Sequence, residues 1–124
     1  MINQVLESLK SDLEAEAENP FVELFFKDIS QYKYISQNPV NVIQFRGLEL
    51  EKAPHASIFG QKGFLDVSFF HFSRTISDGD CAKVLAFFDS VRALKGLSVV
   101  SFKPYSHKKN AAIWEIKAQI EKIF

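Results

Sequence analysis

The stretch Phe64-Leu65-Asp66-Val67-Ser68-Phe69-Phe70-His71-Phe72-Ser73-Arg74 decides how the rest of the chain is read. Side chains of an extended strand alternate between faces. Leu65, Val67 and Phe69 therefore project one way, and Phe64, Phe70 and Phe72 project the other way beside Asp66 and Ser68. Aromatic and β-branched residues suit a pleated surface, and apolar residues on both faces mark a strand covered on both sides. The sequence must then supply neighbours for this strand and a layer for each of its faces.

Upstream, two further segments read as strands. Residues 21–29 carry Val22, Leu24 and Phe26 against Phe21, Phe25 and Ile29, which predicts a largely buried strand. Residues 40–46 place Val40 and Val42 opposite Ile43 and Phe45. Gly47 marks a bulge there, with residues 48–51 as an extension wet on one face. Residues 31–38 form a polar connection with two tyrosines, and residues 52–63, with Pro54, Gly60 and Gly63, read as a loop. Residues 2–17 predict an amphipathic helix, with Ile2, Val5, Leu6, Leu9 and Leu13 at helical spacing. Asn19-Pro20 closes it. Through residue 19 five acids face one lysine, a local charge of −4.

Downstream, Ser77 or Asp78 supplies N-cap chemistry for a helix running to about Lys95. Val84, Leu85, Phe87, Phe88, Val91 and Leu94 form its apolar stripe, and Lys95-Gly96 is a suitable C-terminal pair. Residues 97–103 predict a short strand stopped by Pro104, and residues 104–110 a basic loop. Residues 111–124 fit two templates. As a helix, Ile113, Ile116, Ile120 and Ile123 align but Trp114 falls outside the stripe. As a strand, Ala112, Trp114, Ile116, Ala118 and Ile120 share a face. The strand is the reading adopted.

The order is α-β-β-β-α-β-β in a single domain spanning residues 1–124. It is an α+β chain with a mostly antiparallel sheet of four to five strands and two helices packed on one face. Two helices leave the second apolar face open, so a partner subunit is expected to cover it, with Phe64, Phe70 and Phe72 as the candidate protein interface.

The 124 residues hold 15 Lys+Arg and 15 Asp+Glu, with 47% hydrophobic residues and 13 Phe, enough apolar weight for a real core. This excludes a disordered tail and a uniformly basic nucleic-acid binder. One cysteine excludes an internal disulfide scaffold. Residues 1–5 lack the charged and apolar regions of a signal peptide, and no apolar run approaches bilayer length, so a cytosolic chain without membrane contact is expected.

Little in the sequence points to chemistry. Cys81, His71 and Asp78 or Asp80 form a nucleophile set only in outline, supported by the place of Cys81 in a first helical turn. His55, His71 and His107 have no partner at metal-ligand spacing. The five glycines build no phosphate-binding run. No cofactor, metal, small-molecule substrate or catalytic role is expected. Lys103, Lys108 and Lys109, with His107 and an interleaved Tyr105, form the one basic cluster and are candidates for a weak nucleic-acid contact.

The whole-chain order resembles the small tail-terminator, or tail-completion, proteins of long-tailed phages and Mu-like prophages. The matching pieces are the helix around Val5-Leu6-Glu7-Ser8-Leu9-Lys10, the Pro-initiated strand Pro39-Val40-Asn41-Val42-Ile43-Gln44-Phe45-Arg46-Gly47, and the long strand ending at Arg74. The helix Val84-Leu85-Ala86-Phe87-Phe88-Asp89-Ser90-Val91-Arg92-Ala93-Leu94 and a last strand through Ala112-Ile113-Trp114-Glu115-Ile116-Lys117-Ala118 complete the match. The resemblance implies a subunit without turnover that forms a ring, often a hexamer. Such a ring caps the tail tube and joins it to the head, first in the bacterial cytoplasm and then in the virion. The rival expectation is a small cytosolic immunity or chaperone-like protein that sequesters one partner through its Phe-rich sheet face.

Overall fold

The computed structural model describes residues 2–17, 21–35, 38–50, 62–74, 78–108 and 111–123. Its elements are α1 (Ile2–Ala17), β1 (Val22–Phe25), a 3₁₀ turn (Ile29–Gln31), β2 (Val40–Leu50), β3 (Lys62–Ser73), α2 (Asp78–Arg92), β4 (Leu97–Lys108) and β5 (Ala111–Ile123). The five strands form one sheet in the order β1-β2-β3-β5-β4. Every pair is antiparallel except β1 with β2, which is parallel. The fold is therefore α+β, in the element order the sequence predicts.

Both helices cover one face. Leu6, Leu9 and Leu13 of α1 and Phe87 and Val91 of α2 meet Ile43, Leu65, Val67, Phe69, Ile116, Ala118 and Ile120 of the sheet, all buried. Truncating a residue such as Leu13 to Ala here costs about 2–5 kcal/mol through lost burial and the cavity left behind. α1 lies over β1 and β2, and α2 over β3 and β4. Gly96 ends the turn after α2 at φ +75°, a conformation other residues adopt only with strain.

The second face is covered from within the chain, which corrects the expectation of an uncovered face. A parallel pair requires a crossover, and the segment between β1 and β2 makes it across the side away from the helices. Ile29, Tyr32 and Tyr34 there pack with Phe25 onto Val40, Val42, Phe70, Phe72 and Ile113. This also shortens the first strand. The density of Phe and Ile over residues 21–29 predicts one continuous strand, but β1 stops at Phe25 and Ile29 turns down into this second core. Asp28 caps the 3₁₀ turn by accepting from the Ser30 N–H at 2.9 Å, and that backbone hydrogen bond holds its carboxyl below the ordinary range.

Four other boundaries differ from the sequence reading. β2 and its extension are one strand, with Arg46 as the extra residue of a bulge between Phe45 and Gly47. β4 runs through Pro104 to Lys108 instead of stopping at Lys103. Pro104 is tolerated because β4 is an edge strand whose register shifts between Pro104 and Ser106. α2 begins at Asp78 and ends at Arg92, short of Lys95. β3 begins at Lys62, so the last two residues of the loop expected at 52–63 are strand, while the proposed cap Ser77 and residues 52–61 lie outside the described residues.

Candidate protein interface

Phe64, Phe70 and Phe72 do share the face away from the helices, but only Phe64 is partly open. Phe70 and Phe72 are each 1% exposed. Phe72 lies under Tyr32 and Tyr34, at ring-centroid distances of 4.8 and 5.7 Å, and Tyr105 meets Phe70 edge-on at 5.3 Å. These two rings are core, and the expectation that they form an exposed interface is corrected. The sequence shows that the face is apolar; it does not show that a parallel crossover will seal it.

Beyond the sealed half, the same face turns polar around Phe64. Gln119 Nε2 donates to Asp66 Oδ1 at 2.9 Å, Ser68 Oγ donates to Glu115 Oε2 at 3.1 Å, and Lys62 Nζ lies 2.8 Å from Glu121 Oε1. Phe64 sits beneath this ladder with Lys62 Nζ 6.0 Å from its ring centre. The Lys62–Glu121 pair is open to water, whereas Ser68 and Glu115 are buried and satisfy each other through their hydrogen bond.

Surface apolar groups gather instead at the two open edges of the sheet. Beside β1, Phe21 and Phe26 (62% exposed) reach solvent, and in the crossover Ile35 (83%) does so too. On the β4 side Val100 (63%) and Tyr105 are exposed, and on α2 above it so is Leu85 (59%). Next to them Phe88 and Phe102 stack at 4.4 Å with planes 6° apart, with the Arg92 guanidinium 5.4 Å over Phe88 and Trp114 5.3 Å from Phe102. Neither edge invites a simple continuation of the sheet. β1 has four residues, and β4 is bent by two register shifts and interrupted by Pro104.

Charge is divided the same way. Residues 1–39, which build α1, β1 and the crossover, hold seven carboxylates against three lysines. Residues 91–114, which build β4 and its surroundings, hold Arg92, Lys95, Lys103, Lys108 and Lys109 and no carboxylate. The net charge of zero thus conceals an acidic first third of the sequence and a basic stretch over residues 91–114. The candidate nucleic-acid lysines fall in this basic stretch of the sequence. Lys103 is exposed on β4 opposite Glu115, Lys108 is the last residue of β4 and not part of a loop, and Lys109 lies outside the described residues.

No protein-family model matches the chain, nor does any curated protein.

Cys81 stands in the first turn of α2 as expected, but its side chain and those of Asp78 and Asp80 lie outside the described ones, as does His55. Among the described residues no three His, Cys, Asp or Glu side chains are placed to hold a metal ion. No helix among them is long and apolar enough to cross a membrane. His71 is buried on the helix side of β3, with Nδ1 2.7 Å from Asn41 Oδ1 and its ring stacked on Phe87 at 5.0 Å. The two residues are register partners across β2 and β3. The sequence places His71 on the face opposite Phe70 and Phe72, but Asn41 as its partner depends on strand register and is not legible from spacing.

Proposed function

We propose that this protein is a structural assembly subunit of the phage or prophage tail-terminator kind, which associates head to tail into a ring that caps a tail tube and joins it to the head. The supporting observation is the opposition of the two sheet edges: each carries exposed apolar groups, one at an acidic end and the other at a basic end. Two-fold pairing of like edges would set acid on acid or base on base. Joining unlike edges brings opposite charges together, and a head-to-tail contact that closes on itself makes a ring. In the assembled state Val100, Leu85 and the Phe88–Phe102 stack of one subunit meet Phe21, Phe26 and Ile35 of the next.

The DNA contact expected at Lys103, Lys108 and Lys109 draws on the same cations. In this reading they serve mainly the joint between subunits, and any contact with DNA is secondary. Sequestration of a partner through Phe70 and Phe72 has no exposed surface to work with, because Tyr32, Tyr34 and Tyr105 cover both rings. The proposed role involves no turnover and no cofactor.

Light scattering behind a sizing column, over a hundredfold range of protein concentration, tests the reading. The expected result is a discrete closed oligomer of more than two subunits, visible as a ring in negative stain. A monomer at every concentration, or a dimer that grows no further, contradicts it.

A further inference from the structure

We propose, independently of the assembly role, that the cleft between α2 and the start of β2 binds a small organic monocarboxylate. The helix-facing side of β2 and β3 is apolar at Ile43, Leu65, Val67 and Phe69, yet at one register position it carries Asn41 facing His71, 2% and 4% exposed. Polar groups in such a layer are costly unless bonded, and the 2.7 Å contact between Asn41 Oδ1 and His71 Nδ1 meets that requirement. With the Asn41 oxygen as acceptor, His71 Nδ1 carries a proton and donates. The imidazole is thereby fixed in the wall of an open cleft.

The opposite wall is one stripe of α2: Lys83, Ala86, Phe87 and Ser90, at successive helical spacings, with Pro39 completing the rim. The cleft has a volume of about 170 Å³. A cavity of roughly 150 Å³ accepts a benzene-sized molecule. Phe87 and Pro39 supply apolar surface for a hydrocarbon group. Ser90 Oγ already donates to the Ala86 carbonyl at 2.9 Å, so it offers only lone pairs. Among the described residues the lining holds one ammonium, that of exposed Lys83, and no carboxylate. One cation at an apolar mouth matches a monoanion with a compact hydrocarbon part. It does not match a phosphate, whose several oxygens demand more donors.

Benzoate is a suitable probe, with benzyl alcohol as its neutral counterpart of similar shape. Saturation-transfer NMR observes the ligand and works whatever the size of the protein assembly. Benzoate is expected to give a saturable signal, with affinity about tenfold weaker for Lys83→Met, since a charged hydrogen bond contributes roughly that factor. Benzyl alcohol is expected to bind weakly and without sensitivity to Lys83→Met. Lys83 is exposed, so the variant folds. An absence of saturable signal overturns the site, as does benzoate binding that Lys83→Met leaves unchanged. Equal affinity for the two probes overturns the assignment to a carboxylate.

Discussion

The Tyr32 ring rests 4.8 Å from Phe72 while its hydroxyl donates to Glu23 Oε2 at 2.8 Å, so one side chain ties the crossover both to the sheet and to the edge strand β1. Phe25 meets the same ring edge-on at 5.3 Å. This arrangement closes the Phe72 half of the second face of the sheet.

Replacing Phe72 by Ser therefore unfolds or severely weakens the protein, at a cost of about 3–5 kcal/mol as for other large buried rings. Tyr32→Ala, which uncovers Phe72 without removing it, is expected to cost less, about 1–3 kcal/mol, and to increase binding of a hydrophobic dye. Urea unfolding of both variants checks the order. A Phe72→Ser protein with wild-type stability contradicts the burial described here.

Burial first, and then the hydrogen bond to Glu23, push the Tyr32 phenol above its ordinary value of 10.0, and burial raises Tyr34 as well. The folded state thus holds these protons more tightly than the unfolded state. Their contribution is complete below the unfolded phenol value and is lost as pH rises through the folded value. Stability measured by urea unfolding is expected to begin falling near about pH 10 and to keep falling as pH rises toward the folded values. In Tyr32→Phe the fall is expected to be shallower, because one of the two displaced titrations is gone.

The two glycines in described turns and bulges separate by conformation. Gly96 has φ +75°, so Gly96→Ala is expected to lose about 1 kcal/mol although a methyl group there meets nothing within 4 Å. A methyl group at Gly47 is equally free and needs no unusual φ, so Gly47→Ala is expected to be neutral or slightly stabilising. Thermal unfolding of the pair distinguishes backbone strain from bulge geometry.

Patterning made the fold class legible. α1 follows its apolar spacing, and β5 takes the strand template that keeps Trp114 on the same face as Ile116, Ala118 and Ile120. The sequence was misleading wherever tertiary context overrides a local rule. Pro104 ends a central strand, but β4 lies at the edge and bulges there. Phe25, Phe26 and Ile29 look like one strand, yet parallel pairing sends the chain off β1 and over the sheet. The candidate interface failed for the same reason. Phe70 and Phe72 are sticky in the sequence and sealed in the fold, whereas the exposed groups at Phe26, Ile35 and Val100 are scattered single residues that only the strand order collects at two edges.

The proposed joining of unlike edges predicts an assembly that is sensitive to salt. Screening length falls from about 10 Å at 0.1 M to about 3 Å at 1 M ionic strength. The oligomer is expected to shift toward monomer over that range. A polyanion such as heparin is expected to do the same at low salt by occupying Lys103 and its neighbours. Light scattering at the two salt concentrations reads this directly, and an oligomer that tightens with salt points to purely apolar joints.

The head-to-tail contact itself is tested most directly by mixing two edge variants, Phe26→Asp and Val100→Asp, and measuring their mass by light scattering. Each alone has one disabled edge and is expected to be monomeric. Mixed in equal amounts, the intact β4 edge of the first meets the intact β1 edge of the second, and a one-to-one dimer is predicted. Two variants that stay monomeric when mixed, or that each assemble as the wild type does, would contradict the account.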